Sequence, residues 1–351
     1  MPRNISILIF SAVFASFGML FGQTPRQPDP EKTISRIAIG SCAHQDKKQP
    51  VLNQAANTKP DLFLYLGDNI YGDTRNMDKL RGKYEKLGEK KEFKRLCKTT
   101  PILATWDDHD YGENDAGREY PFKEESKEIF LDFWNEPESS SRRDHPGIYH
   151  AHVLGKPGQR VQIILLDTRT FRDHLMESHG DPYKNDYRPN PSPDSTFLGE
   201  AQWKWLEQQL QVPAEVRIIA TSNQFSHAYN GWESWSNVPH ERQQMIAMIQ
   251  YTRAKGVIFV SGDVHWGELS RMDPPGGYPL YDLTSSGITQ TWRSIEGNVA
   301  RIGPPMRDEN FGLINIDWKK DDPEIEFVLK DKKGKQVLSH QIRLSELSWG
   351  E

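Results

Sequence analysis

The chain has 351 residues, of which 26% are charged and 36% hydrophobic, an ordinary profile for a globular protein with a substantial core. Its 44 basic and 49 acidic side chains give a net charge of −5, with no long block of either sign. A polyanion-binding stripe is therefore not indicated, and nucleic acid is disfavoured as an obligate partner.

The amino-terminal segment differs in composition from the rest of the chain. Arg3 precedes an apolar run from Ile5 to Phe21, and the chain becomes polar from Gly22 onward. A basic residue, a short apolar core and a small residue before a polar switch are typical of a secretory signal peptide. A membrane anchor is the alternative, although about 17 apolar residues is at the short end for a span. We predict a signal peptide over residues 1–22, a secreted or periplasmic location, no membrane span after cleavage, and a single domain over residues 23–351.

The chain contains only two cysteines, Cys42 and Cys97, and so is no disulfide scaffold. One bridge between them is chemically possible in an oxidising compartment. The alternative is that Cys42, which follows a strand predicted at 36–40, is a metal ligand and that Cys97 is a buried helix residue. The sequence leaves both interpretations open.

The strand predicted at Leu62–Leu66 carries the central candidate ligand. This apolar and aromatic run is typical of a strand buried on both faces, and it stops at Gly67 with Asp68 directly after it. In open α/β sheets, ligands bind outside the carboxyl ends of the strands, and a carboxylate placed there can be shared by two metal ions. Tyr71 can turn its phenolate back toward the same centre. We therefore predict Asp68 as the bridging ligand of a two-metal hydrolase.

A second apolar strand, predicted at 101–106, delivers a dense group of ionisable residues at its end. Asp107, Asp108, His109 and Asp110 follow it directly. Unneutralised carboxylates at this density repel one another in a partly buried cleft, and a cation is the simple remedy. Helix capping is the alternative use for one or two of them.

Two arginines follow another predicted strand, at residues 159–166. Arg169 and Arg172 come just after its end. Because guanidinium groups match phosphate oxygens bidentately, both are candidate phosphate clamps beside a metal cleft. A structural Asp–Arg pair below the cleft is the alternative account of them.

The last buried strand of this part of the chain, predicted at 256–261, ends in Asp263 and His265. Residues two apart on an extended segment point to the same side, so this pair is a reasonable two-point metal clamp. Asn223, which follows a strand predicted at 216–221, is a candidate for substrate binding.

The remaining predicted elements are helices that cover the sheets and a carboxyl-terminal meander. Helices are predicted at 77–96 (one or a pair), 119–134, 198–210 and 239–255, a strand at 147–153, an irregular loop at 181–195, and meander strands at 313–318, 324–329 and 337–343.

Five strand ends therefore carry side chains suited to metal or phosphate. Hard oxygen donors, a phenolate, imidazole and a thiolate suit a trivalent iron beside a harder divalent ion. Such a pair lowers the pKa of a bound water to about 7 and clamps a phosphate during in-line attack. The residues themselves thus favour phosphoester hydrolysis.

The ordered motifs resemble those of a known family, the PhoD-type alkaline phosphatases/phosphodiesterases of the calcineurin-like, purple-acid-phosphatase-related superfamily. The matching motifs are Gly40-Ser-Cys42, Gly67-Asp68-Asn-Ile-Tyr71-Gly-Asp73, Trp106-Asp-Asp-His109 with Asn114, and Ser261-Gly-Asp263-Val-His265. The resemblance covers roughly residues 36–287. It implies an α/β fold, namely a four-layer αββα metallophosphoesterase sandwich, here with a carboxyl-terminal β meander.

The resemblance also implies an iron–calcium centre. It assigns Fe3+ to Cys42, Asp68, Tyr71 and His265, and Ca2+ or another divalent ion to Asp68, Asn114 and Asp263, with Asp108 and Glu233 as further metal ligands. It places His109 by the leaving group or the phosphate. With the arginines above, the predicted catalytic residues are His109 and Arg169, and the predicted substrate-binding residues are Arg169, Arg172 and Asn223.

The predicted function is that of a secreted, metal-dependent hydrolase of small-molecule, lipid or nucleotide phosphoesters. One alternative is a phospholipase- or nuclease-type phosphodiesterase built on the same centre. Another is a non-catalytic family member, which is expected to have lost ligand residues, whereas every motif is intact here. The preference for monoesters or diesters stays open.

Overall fold

The computed structural model describes residues 24–350, so the predicted signal peptide lies outside the described residues. The strands are β1 (Arg36–Gly40), β2 (Leu62–Leu66), β3 (Ile102–Thr105), β4 (His150–Leu154), β5 (Val161–Leu165), β6 (Val216–Ala220), β7 (Val257–Ser261), β8 (Gly267–Met272), β9 (Leu280–Ser285), β10 (Arg301–Met306), β11 (Asn310–Asp317), β12 (Glu324–Asp331) and β13 (Gln336–Arg343). The helices are α1 (Pro50–Asn57), α2 (Met77–Glu89), α3 (Lys91–Thr99), α4 (Asp108–Tyr111), α5 (Lys123–Phe133), α6 (Gly199–Leu210) and α7 (Pro239–Tyr251). None of these helices of the described range is both long enough and apolar enough to cross a membrane.

The strands form two sheets with parallel centres. One sheet has six strands in the order β13-β12-β11-β1-β2-β3, and the other has seven in the order β10-β8-β9-β7-β6-β5-β4. Parallel pairing joins β1 to β2 and β2 to β3, and it joins β5, β6, β7 and β9 in the second sheet. The carboxyl ends of neighbouring parallel strands therefore lie together at one edge of each sheet, the usual position of ligands. The antiparallel meander β11–β13 extends the first sheet.

Alternation along β2 shows how the layers are held together. Leu62, Leu64 and Leu66 belong to the core between the sheets, whereas Phe63 and Tyr65 pack with apolar residues of α1, α2, α3 and α5. Successive side chains of a strand point to opposite faces, and both faces are buried here. Apolar residues of α6 and α7 belong to the same cluster as the second sheet. The predicted four-layer α/β sandwich is confirmed.

Most predicted elements are present, with shifted ends, but three strands were not predicted. The segment predicted as one or two helices is a pair, α2 and α3, and α5 begins four residues later than predicted, at Lys123. The unpredicted strands are β8, β9 and β10. Two of them are short of apolar residues, and β10 contains Gly303, Pro304 and Pro305, which a strand tolerates only at a sheet edge such as the one that it forms.

Both cysteines are free thiols in the described part of the chain. Cys97 is a buried residue of α3, and Cys42 lies beyond the end of β1. The structure therefore agrees with the second interpretation of the cysteines, a buried helix residue and a separate thiol at a strand end, and not with a disulfide bridge.

Candidate metal centre

Four candidate ligands occupy left-handed backbone positions just beyond strand ends. The backbone angle φ is 60° at Cys42, 50° at Asp68, 71° at Asp263 and 61° at His265. Residues with a side chain rarely adopt this conformation, and where they do, the surrounding structure often fixes a functional geometry. At Gly67, where φ is 98°, a Cβ would lie only 2.6 Å from the Cβ of Asp107, so the close approach of these two strand ends requires glycine.

The four residues predicted to hold iron converge into one group. The Tyr71 hydroxyl donates to Oδ2 of Asp68 at 3.3 Å and lies 3.1 Å from Nε2 of His265. The Sγ atom of Cys42 lies 3.4 Å from the same Asp68 oxygen. One ligand atom each from Cys42, Asp68 and His265 lies within 4.8 Å of the others. A thiol, a carboxylate, a phenol and an imidazole therefore point at a common centre.

A second group, rich in carboxylates, adjoins the first. Asp68 and Asp108 approach His109, and Asp108 and Asp263 approach Asp107, each trio within 4.8 Å. Oδ1 of Asp68 and Oδ1 of Asp108 are buried without a hydrogen-bond partner among residues 24–350. Burial and repulsion between the carboxylates raise the pKa of Asp68 and Asp263 well above the usual range. Cations satisfy such oxygens and remove the repulsion, so the residues present fit a metal centre.

The short helix α4 divides the acidic run into two roles. A carboxylate oxygen of Asp110 accepts the backbone N–H of Asp107 at 2.7 Å and that of Asp68 at 3.2 Å. Asp110 and Asp107 are both fully buried and do not line the cavity described below, whereas Asp108 and His109 do. The helix-capping alternative therefore describes Asp110, which closes the first turn of α4 and anchors the backbone that carries Asp68.

His109 is oriented by a residue that the sequence analysis did not assign. Its Nδ1 lies 2.7 Å from Oδ1 of Asp73, and its ring centroid lies 4.2 Å from that of Tyr71. Burial disfavours the imidazolium, but the carboxylates of Asp108 and Asp68 outweigh burial and raise the pKa of His109 to about 11. The sequence did contain a signal for Asp73, because this residue ends the same motif that holds Asp68 and Tyr71.

The two predicted phosphate clamps lie behind Glu233. Arg169 contacts both carboxylate oxygens of Glu233, with Nη1 2.9 Å from Oε1, and also pairs with Asp107. Arg172 pairs with Oε1 of Glu233 and donates to the backbone oxygen of Asp115. Both arginines are buried, and of these groups it is Glu233 and Asp115 that line the described cavity. These contacts are those of a structural ion-pair network, and the phosphate-clamp role stays a prediction.

Asn223 lies next to the strand end that carries Asp263. The backbone oxygen of Ser222 accepts the N–H of Gly262 at 2.7 Å, which places the ends of β6 and β7 side by side. Asn223 is fully buried, and neither atom of its amide has a hydrogen-bond partner among residues 24–350. An unpartnered buried amide is costly, but Asn223 is not among the residues that line the cavity described below. Its role in substrate binding stays a prediction.

The two groups open into one cavity with about 620 Å³ of empty space, including its mouth. The predicted site residues that line it are Asp68, Asp108, His109, Asn114, Glu233, Asp263 and His265. The lining residues that the sequence analysis did not assign are Asp115, Asp186, Tyr187, Trp232, Val264 and Trp292. Most of these come from loops far apart in the chain, and no local pattern connects such loops.

Comparison with known proteins identifies the family. A model of the PhoD-like phosphatase family matches residues 37–294, a range that contains every candidate ligand. The chain belongs to the PhoD-like phosphatase family. The family predicted from the four ordered motifs is therefore confirmed.

Individual proteins are similar to this chain in sequence or in fold. The chain is 24% identical over 310 residues to alkaline phosphatase D of Bacillus subtilis (strain 168), a match that covers 76% of this chain and 51% of that protein. The chain thus spans about half the length of this curated relative. Among solved structures, PhoD matches with a TM-score of 0.66 at 19% identity over 90% of this chain and 73% of PhoD. GAP50, described as the anchor in the inner membrane complex of Plasmodium, matches with a TM-score of 0.57 at 13% identity over 89% of each chain.

Proposed function

We propose that this protein is a secreted or periplasmic, metal-dependent hydrolase of phosphoesters. Membership of the PhoD-like phosphatase family favours this reaction class. The observation that carries the proposal is the convergence of Cys42, Asp68, Tyr71 and His265 beside a second group of carboxylates around Asp108. Export rests on the signal peptide predicted over residues 1–22, after which residues 23–351 form one domain.

The donor sets of the two groups support two different cations. Cys42, Asp68, Tyr71 and His265 offer a thiolate, a carboxylate, a phenolate and an imidazole, a largely anionic set that is compatible with Fe3+. The oxygen donors that suit Ca2+ or another divalent ion come from Asp68, Asp108, Asn114, Glu233 and Asp263. Two cations held there would lower the pKa of a water to about 7 and would neutralise phosphate oxygens. Asp68 contributes to both groups and is the proposed bridge.

His109 is the proposed proton donor to the leaving oxygen. It lines the cavity, and Asp73 engages its Nδ1, which leaves Nε2 for a group in the cavity. An imidazole held in this way transfers a proton at a fixed position. Arg169 contributes by holding Glu233 at the cavity wall, and a direct contact of Arg169 with phosphate requires it to exchange a carboxylate partner.

The substrate class supported by this cavity is small phosphoesters, including esters of lipid or nucleotide alcohols. The first experiment compares hydrolysis of bis-p-nitrophenyl phosphate and p-nitrophenyl phosphate by the purified mature chain, before and after chelation. We expect turnover that chelation abolishes and that added metal restores. The ratio of the two rates ranks diesters against monoesters. Absence of turnover in protein shown to contain its metals would contradict the proposal.

Replacement of the proposed bridge tests the centre itself. Asp68→Asn keeps the shape of the side chain but removes its charge, and we expect hydrolysis to be lost while the fold is retained. The matched control is Asp273→Asn, which removes an exposed carboxylate that pairs with Arg271. Full activity and full metal content in Asp68→Asn would exclude the bridging role.

A further inference from the structure

The mouth of the cavity has an aromatic wall made by Trp232 and Trp292. Their ring centroids lie 4.9 Å apart with an angle of 68° between the planes. Trp292 also meets the ring of His265 edge-on, at 5.2 Å and 88°. Trp292 is 38% exposed although it is one of the largest apolar side chains, so part of its surface faces the solvent at the cavity. The rings therefore form a corner beside a candidate metal ligand.

The backbone holds this wall in place relative to the centre. The N–H of Trp292 donates to the backbone oxygen of His265 at 3.0 Å. The segment that carries the tryptophan is thus tied to the segment that carries the ligand. A group that contacts Trp292 would therefore sit at a fixed distance from a phosphate at the centre, which is the geometry expected of a site for the ester's alcohol portion.

Acidic residues line the same cavity together with the aromatic wall. Asp186 is exposed, and its carboxylate makes no hydrogen bond or ion pair with any of residues 24–350. Asp115 accepts the Tyr187 hydroxyl at 2.5 Å, so a further aromatic ring and a further carboxylate lie at the cavity. Among the described residues that line it, none is lysine or arginine. Lys184, close to Asp186 in the chain, pairs with Glu296 instead.

Aromatic faces combined with the unpaired carboxylate of Asp186, and with no lysine or arginine on the lining, are suited to an organic cation. The imidazole of His109 also lines the cavity, but it lies beside Asp68 and Asp108 at the candidate centre and pairs with Asp73. The methyl or methylene groups of an alkylammonium pack on the rings, and its positive charge is attracted both by the ring quadrupoles and by the carboxylates. A second phosphate or a sulfate beside Asp186 would instead meet a carboxylate with no lysine or arginine on the lining to offset the repulsion.

We propose that the mouth selects phosphoesters whose alcohol carries an ammonium group, with Trp292 and Asp186 as the residues that determine this specificity. The inference rests on the proposed function, because an alcohol portion reaches this wall when the cavity holds its phosphate. Trp232 supports Trp292 through the edge-on contact of their rings. Tyr187 and Asp115, joined by a hydrogen bond, add a further ring and a further carboxylate to the cavity lining.

The test compares two ligands that differ in charge and not in shape. Choline phosphate and 3,3-dimethylbutyl phosphate place a trimethylammonium group and a tert-butyl group on the same chain. Each is measured as a competitor of bis-p-nitrophenyl phosphate hydrolysis by the full mature chain with its metals. We expect the inhibition constant of choline phosphate to be lower by roughly tenfold, the range of a cation–π contact with partial desolvation.

Four variants test whether Trp292 and Asp186 cause this preference for the charged ligand. We expect the preference to disappear in Trp292→Ala, to be largely retained in Trp292→Phe, and to fall about threefold in Asp186→Asn, since a single exposed charge contributes modestly. Tyr251→Ala, which removes another exposed aromatic ring on α7, is the control and keeps the preference. If Trp292 only supported His265, its loss would weaken both ligands equally and leave their ratio unchanged.

The outcomes separate this inference from the proposed function. Equal inhibition constants in the wild-type protein, or a preference for the neutral ester, would overturn the ammonium proposal while hydrolysis stands. If no ester is hydrolysed, the proposed function fails, and calorimetric titration of the same two ligands into wild-type protein and Trp292→Ala measures the preference directly. A preference that survives in both Trp292→Ala and Asp186→Asn would exclude these residues as its source.

Discussion

Replacement of Glu233 can show whether this residue is a metal ligand, a structural support, or both. Glu233 is 3% exposed, and its carboxylate lies against the guanidiniums of Arg169 and Arg172, which are 0% and 1% exposed. With Asp107 and Asp108, which also pair with Arg169, the network contains three carboxylates and two guanidiniums. Glu233→Gln keeps the shape of the side chain, removes one negative charge, and takes a charged partner from each of the two buried arginines.

The magnitude follows from this burial. Two unit charges about 3 Å apart attract by roughly 5 kcal/mol at an effective dielectric constant of about 20. The desolvation of the two guanidinium groups opposes this attraction. Its cost remains after the substitution, because both arginines stay buried. Removal of one partner from a buried pair typically costs about 3–5 kcal/mol. We therefore expect Glu233→Gln to lower the free energy of unfolding by about that amount.

The assay is urea unfolding followed by tryptophan fluorescence in the presence of chelator, so that metal binding does not contribute to the measured stability. The matched control is Glu113→Gln, because Glu113 also pairs bidentately with an arginine, Arg75, but at the surface. Exposed pairs contribute little, and we expect no resolvable change in the control. Equal stabilities of the two variants would refute the reasoning.

The same variant then reports on metal ligation. If Glu233 is a ligand as well as a support, the loaded protein loses metal from one group in addition to its loss of stability. If Glu233 is a support alone, metal content is unchanged at a concentration of urea where the variant is still folded. Metal analysis of folded Glu233→Gln therefore decides between these two roles without reference to activity.

Two further predictions concern other residues. Asp73→Asn should lower kcat roughly tenfold to a hundredfold at unchanged metal content, because His109 loses its orienting partner. The control is Asp273→Asn, and an unchanged kcat in Asp73→Asn would show that catalysis does not depend on the orientation of His109 by Asp73. Burial, together with nearby charges, lowers the pKa of His150 to about 4 and that of His152 to about 3. Folding therefore favours the neutral form of both imidazoles. Their contribution to the free energy of unfolding is fully present above the unfolded-state pKa of about 6.5 and is lost as the pH falls below that value. The loss is about 1–2 kcal/mol per group at pH 5. The free energy of unfolding of the double variant His150→Gln/His152→Gln should therefore fall less steeply with decreasing pH than that of the wild-type protein. Parallel curves for the two proteins would contradict the lowered pKa values of His150 and His152.

The sheets could be predicted because their strands follow simple rules. Strands such as β2 and β7 are continuous apolar runs, and a run of that length has few alternatives to a doubly buried strand. β10 could not be predicted in this way, because Pro304 and Pro305 argue against a strand in isolation. It forms only because β8 offers it an edge, and its register is interrupted between Ile302 and Met306. Such a strand is determined by its neighbour more than by its own residues.

The ligands could be predicted for a topological reason, whereas their supports could not. Parallel strands bring their carboxyl ends to one edge, so residues that follow those ends meet whatever the details of packing. Arg169 follows such an end as well, but its long side chain turns to Glu233, which lies 64 residues further along the chain. Trp232 and Trp292 likewise meet across loops. Contacts of this kind depend on side-chain directions that spacing in the sequence does not determine.

The acidic run after β3 illustrates how a single helical turn produces two functions from adjacent residues of similar chemistry. Asp107 and Asp110 are three apart, so on the turn of α4 they lie on one side, and Asp110 accepts the backbone N–H of Asp107. The residues between them, Asp108 and His109, are consequently directed away from this contact and line the cavity. Repulsion among charges in the sequence indicated that a cation was needed, but the helical period determines which of the charges face it. The carboxylate that closes the turn also fixes the backbone of Asp68, so the structural member of the run positions the proposed bridge.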